Sequence, residues 1–169
     1  MTVTINESNM IFGPFPKDDC YELEESAIYK RIQQGVMIPE FALIQRPAEK
    51  PIHIIFVEAK SSAPRPKTGN FDVFIDEIRQ KMSNGLQTVW AACLNRHKEA
   101  PEDLPAGFRD LDLREDYRFI LIIKGHEDSW IQPLQDALNA AMGSFIKTIG
   151  KLSVVVINDK RAKKLNLIQ

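Results

Sequence analysis

The segment from Tyr117 to Lys124 (YRFILIIK) is apolar almost without a break and is closed by Gly125. A short run this uniform reads as a central strand covered by helices on both faces, and it commits the chain to a layered fold around that strand. Two further runs share its character. Val36 to Arg46 and Ile52 to Lys60 are rich in Val, Ile and Phe, and the link Pro47–Pro51 is short and turn-like, so they predict an antiparallel hairpin buried on both sides. Leu152 to Ile157 (LSVVVI) predicts the last strand, after which Asn158 caps a short basic tail helix.

Helical periodicity fills the gaps between these runs. After the Pro/Ser/Gly loop from Ser61 to Gly69, Asn70 is placed to cap a helix. Its apolar positions Phe71, Phe74, Ile75, Ile78, Met82, Leu86, Val89, Trp90 and Cys93 follow the 3.6-residue period. Trp130, Leu134, Leu138, Met142 and Phe145 predict a second helix over Ser129–Ile146. Both tryptophans fall on core-facing stripes, which favours packing over base stacking. Glu24 to Gln34 predicts a shorter helix stopped by Gly35, Cys20 to Leu23 an extended stretch, and Met1 to Asn6 a short edge strand. The polar stretch from Arg96 to Asp116 is long enough to hold a helical turn. The order helix, strand, strand, helix, strand, helix, strand describes an α/β chain with a mixed central sheet flanked by helices, and excludes all-α and all-β folds.

With 169 residues, 44% hydrophobic and 27% charged, the chain has the balance of one globular domain spanning 1–169. No repeat appears. The opening residues lack a basic segment followed by an apolar run, and no stretch nears the roughly eighteen apolar residues of a membrane span. Cys20 and Cys93 lie far apart in apolar surroundings with no zinc-type spacing, which predicts buried thiols in a reducing, cytoplasmic compartment. A net charge of −1 excludes a polycation drawn to nucleic acid by its overall field, so any such contact rests on local patches. Three qualify: Arg65 with Lys67, Arg96 to Lys98, and Lys160 to Lys164.

Strand alternation places Ile54, Phe56, Glu58 and Lys60 on one face, and His53, Ile55, Val57 and Ala59 on the other. Glu58 therefore ends a buried apolar run with Lys60 beside it, and burying its charge costs several kcal/mol unless cations or hydrogen bonds compensate. Eighteen residues earlier, Glu40 interrupts another apolar run (VMIPEFALI), and the hairpin brings it beside Glu58. Two facing carboxylates repel unless a divalent cation sits between them. Acids that hold Mg²⁺ or Mn²⁺ next to a lysine have the composition of a phosphodiester-hydrolysing site. The plain alternative is a strand end whose charges meet solvent, with Glu40 neutralised by Lys50 or Arg46.

Pro39 and Glu40, followed by Glu58, Ala59 and Lys60, resemble the PD-(D/E)xK nuclease-like superfamily, with Glu in place of the usual Asp. The resemblance covers Cys20 to Asn95. It implies a restriction-endonuclease-like core in which the first acid opens the second strand of the hairpin pair, ExK ends the next strand, and a helix follows. It implies Glu40 and Glu58 as metal ligands for Mg²⁺ or Mn²⁺, Lys60 as the catalytic lysine, and an acid before the hairpin, Glu24 in preference to Glu25. A polar residue from the following helix also belongs to the pattern, Lys81 or Gln80 here. The implied partner is DNA, ahead of RNA, with no membrane and with a homodimer compatible with the small size. Because fold and activity are separable, an inactive interaction or regulatory module on the same fold is the competing reading. No GxSxG elbow, GxGxxG loop, P-loop or metal-spaced histidine pattern is present.

Overall fold

The computed structural model describes residues 1–48 and 51–169. A hairpin of β1 (Thr2–Glu7) and β2 (Met10–Pro16) opens the chain, followed by β3 (Cys20–Glu22), α1 (Ala27–Ile32), β4 (Phe41–Gln45) and β5 (His53–Lys60). Then come α2 (Phe71–Cys93), the short turns α3 (Ala100–Asp103) and α4 (Ala106–Arg109), and β6 (Asp116–Ile123). The chain closes with α5 (Asp128–Ile149), β7 (Leu152–Asn158) and α6 (Asp159–Lys164). The main sheet has five strands in the order β3-β4-β5-β6-β7, with β3 to β5 antiparallel and β5 to β7 parallel. The expected mixed α/β sheet is therefore present. Among the described residues, no helix is long and apolar enough to cross a membrane.

Each face of the sheet has its own core. Ala42, Ile44, Ile54, Phe56, Phe119 and Leu121 point toward α2 and α5, where Ile78, Met82, Leu138 and Met142 meet them. Phe41, Leu43, Ile55, Val57 and Ile122 point the other way, onto Met10, Phe12, Phe15 and Ala162. The second cover corrects the expectation of helices on both faces, because there only α6 is helical and the β1–β2 hairpin and the last residues supply the rest. Phe12 bridges Ile168, and the Gly13 amide donates to Leu167 O at 3.0 Å. Gly13, Pro14 and Pro16 disguised β2, whose buried residues Met10, Phe12 and Phe15 do not keep a strict alternation.

Two boundaries shift, and one expected cap is not made. Residues 36–39 are not strand: β4 begins at Phe41, after Pro39, which has no amide proton to give a ladder. The first helix is only Ala27–Ile32, capped by the Ser26 hydroxyl accepting from Tyr29 N, so Glu24 lies in the turn before it. Asn70 precedes α2 but makes no side-chain cap hydrogen bond. Asn158 does cap α6, accepting from Arg161 N at 3.0 Å.

Loose ends are tied by side chains. Asp103 accepts from Ala27 N at 2.7 Å, Ile28 N at 3.2 Å and the Tyr21 hydroxyl at 2.7 Å, clamping the start of α1. On the outer edge of β7, Gln135 donates to Val154 O at 2.9 Å and accepts from Val156 N at 2.7 Å, taking the place of a missing strand. Cys20 is buried and Cys93 half-buried, both as free thiols.

Candidate functional site

Backbone pairing sets Glu40 and Glu58 side by side. The ladder aligns Phe41 with Val57 and Glu22 with Phe41, and it runs one step past β4: Glu40 N donates to Val57 O at 3.0 Å, while Leu23 N donates to Glu40 O at 3.0 Å. Ala42 and Phe56 both face α2, so strand alternation puts Glu40 and Glu58 on that same face. Pro39 packs against Gly85 of α2, and the Asn84 side chain donates to Met37 O at 2.8 Å, holding the approach to Glu40 in place without strand pairing.

Glu58 has a side-chain exposure of 0%, and two ammonium groups converge on its Oε1: Lys81 Nζ at 2.8 Å and Lys60 Nζ at 3.2 Å. Lys60 continues to Glu77 at 2.8 Å, and Lys81 to Glu24 at 3.9 Å. The result is a row of alternating charge, Glu77, Lys60, Glu58, Lys81, Glu24. Both contacts fall on Oε1, and the buried Oε2 has neither an ion-pair nor a hydrogen-bond partner among the described residues. Glu40 makes no ion pair among the described residues. Arg46, one proposed neutraliser, pairs instead with Asp19 at 3.2 Å, and Lys50, the other, lies outside the described residues.

A cleft of 620 Å³ opens onto this row, lined by Glu7, Ser8, Glu24, Glu40, Lys60 and Lys81 among others, with Glu58 behind the wall. The hairpin turn forms its rim, where the Ser8 hydroxyl donates to Ala59 O at 3.0 Å and pins the turn to the end of β5. Glu7 and Ser8 escaped the sequence because the hairpin itself was hidden. Glu77 left a fainter sign, as a polar residue one turn before Lys81 on the helix that follows ExK. Gln80, the other helix residue considered, donates to Asp76 at 2.6 Å on the exposed side and takes no part.

Burial, reinforced by the negative charges of Glu58 and Glu24, pushes the Glu40 carboxyl up to about 8. Burial also raises Glu58, against the opposing pull of Lys81 and Lys60. For both lysines burial works against the ammonium. The hydrogen bond to Glu77 with the charge of Glu58 outweighs it for Lys60, and the charge and hydrogen bonding of Glu58 outweigh it for Lys81, so both are held above the ordinary lysine range.

Among the described residues, no three His, Cys, Asp or Glu side chains gather into a metal cluster. Glu40 and Glu58 are the two neighbouring carboxylates that could enter an ion's shell. That suits Mg²⁺, which commonly takes one or two carboxylates and completes its octahedron with waters and substrate phosphates. The donor set is all oxygen, and the buried, unpartnered Oε2 of Glu58 leaves acceptor capacity for a hard cation.

The other marked residues fall elsewhere. His53 lies at the opposite end of β5, in a separate cleft with Asp116 and Lys151. Trp90 packs against the α2 core and donates to the Tyr117 hydroxyl at 2.9 Å, as its stripe predicted. Trp130 differs: half-buried like Trp90, it is not packed into that core, contrary to its stripe, and carries the Arg65 guanidinium 4.9 Å from its ring centre. In comparisons with known proteins, no family model, no curated protein and no solved structure matches the chain.

Proposed function

We propose that the chain is a Mg²⁺- or Mn²⁺-dependent nuclease of the PD-(D/E)xK nuclease-like type, with a restriction-endonuclease-like core, hydrolysing phosphodiester bonds in DNA ahead of RNA. The observation that carries this reading is Glu58: fully buried, with Oε1 shared by two lysines, Oε2 left without any partner, and a second carboxylate of suppressed ionisation adjacent. Protein interiors seldom leave a carboxylate in that condition unless it has a ligand to hold. The strand layout supports the same reading, since the acid immediately precedes one strand, ExK ends its antiparallel neighbour, and a long helix follows.

In this reading Glu40 and Glu58 hold the metal, and Lys60 lines the cleft with its ammonium fixed by Glu77 at 2.8 Å. Such an ion supplies Lewis-acid polarisation of a phosphoryl oxygen and a lowered pKa for a water. Lys60 orients the attacking water or neutralises charge that builds on the phosphate, a role suited to a three-donor point charge. Glu24 stands at the outer rim, tied to Lys81. Exposed Arg65 and Lys67 follow the C-terminal end of β5, and exposed Lys160 and Arg161 follow that of β7. Because β5 to β7 are parallel, both patches lie on the edge that carries Lys60, where a phosphate backbone is attracted toward the cleft.

A second reading has its own support. The two lysines neutralise Glu58 without any metal, as they would in an interaction or regulatory module whose charge row is purely structural. Cleavage of single-stranded and duplex DNA with Mg²⁺ and Mn²⁺ separates the two. Wild-type cutting that Glu58→Ala and Lys60→Ala abolish while staying folded supports the nuclease; a wild type inert with every metal and substrate leaves the module.

A further inference from the structure

The two lysines that meet Glu58 are held differently. Lys60 is gripped from behind by Glu77, with 2.8 Å on that side against 3.2 Å to Glu58. It has a fixed second partner and stays in place if Glu58 turns to another cation. Lys81 is the reverse case: its short contact, 2.8 Å, is the one to Glu58, and its other neighbour, Glu24, stands 3.9 Å away with 44% of its side chain exposed. Only 12% of the Lys81 side chain meets solvent, yet it lines the cleft together with Glu24 and Glu40. Its ammonium thus occupies the space between Glu58 and the cleft's acids, the position in which a cation serves all of them.

Resting on the metal-site reading above, we infer that Lys81 is an internal cation that holds the divalent-ion position of the metal-free protein, and that it must leave Glu58 for the ion to bind. Lys81 is a positioning residue that sets the metal affinity of Glu40 and Glu58. A divalent ion on the free Oε2 of this buried carboxylate would still stand close to the ammonium held 2.8 Å from Oε1. In a medium of low polarity the two repel strongly, more than the ion and the farther Lys60 at 3.2 Å. The side chain has a way out, because a swing toward Glu24 shortens the 3.9 Å contact and carries the charge toward solvent. Lys60 has no such need, since Glu77 retains it. The site is therefore closed by its own charge until a divalent ion competes successfully for Glu58.

The inference makes an unusual demand: removing a charged residue from the site must tighten metal binding. Mn²⁺ affinity is measured on the full chain by following free Mn²⁺ with electron paramagnetic resonance, without nucleic acid. Lys81→Met is expected to bind Mn²⁺ at least tenfold more tightly than wild type. Lys81→Arg, which keeps the charge, is expected to stay within threefold of wild type, and Glu58→Gln to lose binding. A side chain that merely props up the fold cannot yield tighter binding on removal. Near-UV circular dichroism checks that each variant is folded; if Lys81→Met is not, Lys81→Gln takes its place with the same expectation. Wild-type binding that Glu58→Gln abolishes, with the neutral Lys81 variant no tighter, overturns the inference and leaves the metal site standing. Absence of Mn²⁺ binding in all variants overturns both.

Discussion

Gly85 of α2 lies against Pro39 so closely that a Cβ at position 85 would stand 2.6 Å from both Cγ and Cδ of the proline ring. Pro39 is the residue before Glu40, so this contact between helix and loop sets where the first acid of the cleft begins. Gly85→Ala forces the proline, the helix, or both to shift. The overpacking is expected to cost about 1–3 kcal/mol in urea unfolding. Unlike an ordinary core defect, it is also expected to weaken Mn²⁺ binding by displacing Glu40. A variant as stable as wild type would show that the loop yields freely.

The suppressed ionisation of Glu40 has a signature in pH. Its carboxyl sits at about 8 in the fold against an ordinary value of 4.5, so the native state retains a proton that the unfolded chain has released. The stability gained from that retained proton is complete below 4.5 and is lost as pH rises through 8. In the metal-free protein, the melting temperature of wild type relative to Glu40→Gln is expected to fall across this interval and level off above it. Parallel melting curves for the two proteins would remove Glu40 as the titrating group. Metal binding below pH 8 is expected to release a proton, seen as a dependence of binding heat on buffer ionisation enthalpy.

Asp103 supports α1 across separations of 76, 75 and 82 residues in sequence, through Ala27 N, Ile28 N and the Tyr21 hydroxyl. Asp103→Ala removes an acceptor shared by three donors and is expected to cost about 2 kcal/mol or more, in the upper range for loss of a cap. Amide exchange at Ala27 and Ile28 should accelerate more than exchange in β5. Uniform acceleration across the chain would mean that the clamp acts on global stability alone.

Burial, with the charge of Glu22, pushes the Cys20 thiol up to about 12, and burial pushes Cys93 up to about 11. At pH 8 the thiolate fraction is then on the order of one in a thousand or less for both. Neither is expected to react with Ellman's reagent in the native protein over minutes, and both should react once it is unfolded. Rapid native labelling of either would contradict the burial.

Where the chain repeats a pattern, the sequence was readable. The apolar runs at 52–60 and 117–124 became β5 and β6 to within a residue or two, and the nine-residue stripe from Phe71 to Cys93 became α2. Patterns failed where backbone chemistry interrupts them. Gly13, Pro14 and Pro16 broke up the alternation of β2, and Pro39 kept the apolar residues before it out of a strand that their composition suggested. The candidate site divides in the same way. Glu40, Glu58 and Lys60 stand out because a charge inside an apolar strand is conspicuous. Glu77 does not, because a charge on a helix is ordinary, and Lys81 entered only beside Gln80 through the family resemblance; the fold shows that Lys81 meets Glu58 and that Glu77 meets Lys60.

The Gln135 amide that pairs with Val154 and Val156 has a bearing on how copies of this molecule could meet. An open strand at the end of a sheet invites any extended peptide to add itself, and a continuous intermolecular sheet is one common way for two α/β subunits to join. Here one glutamine has already answered that invitation from within. Any pairing of two subunits through β7 would first have to evict it, so association by side-chain contact between helices or loops is the less obstructed route.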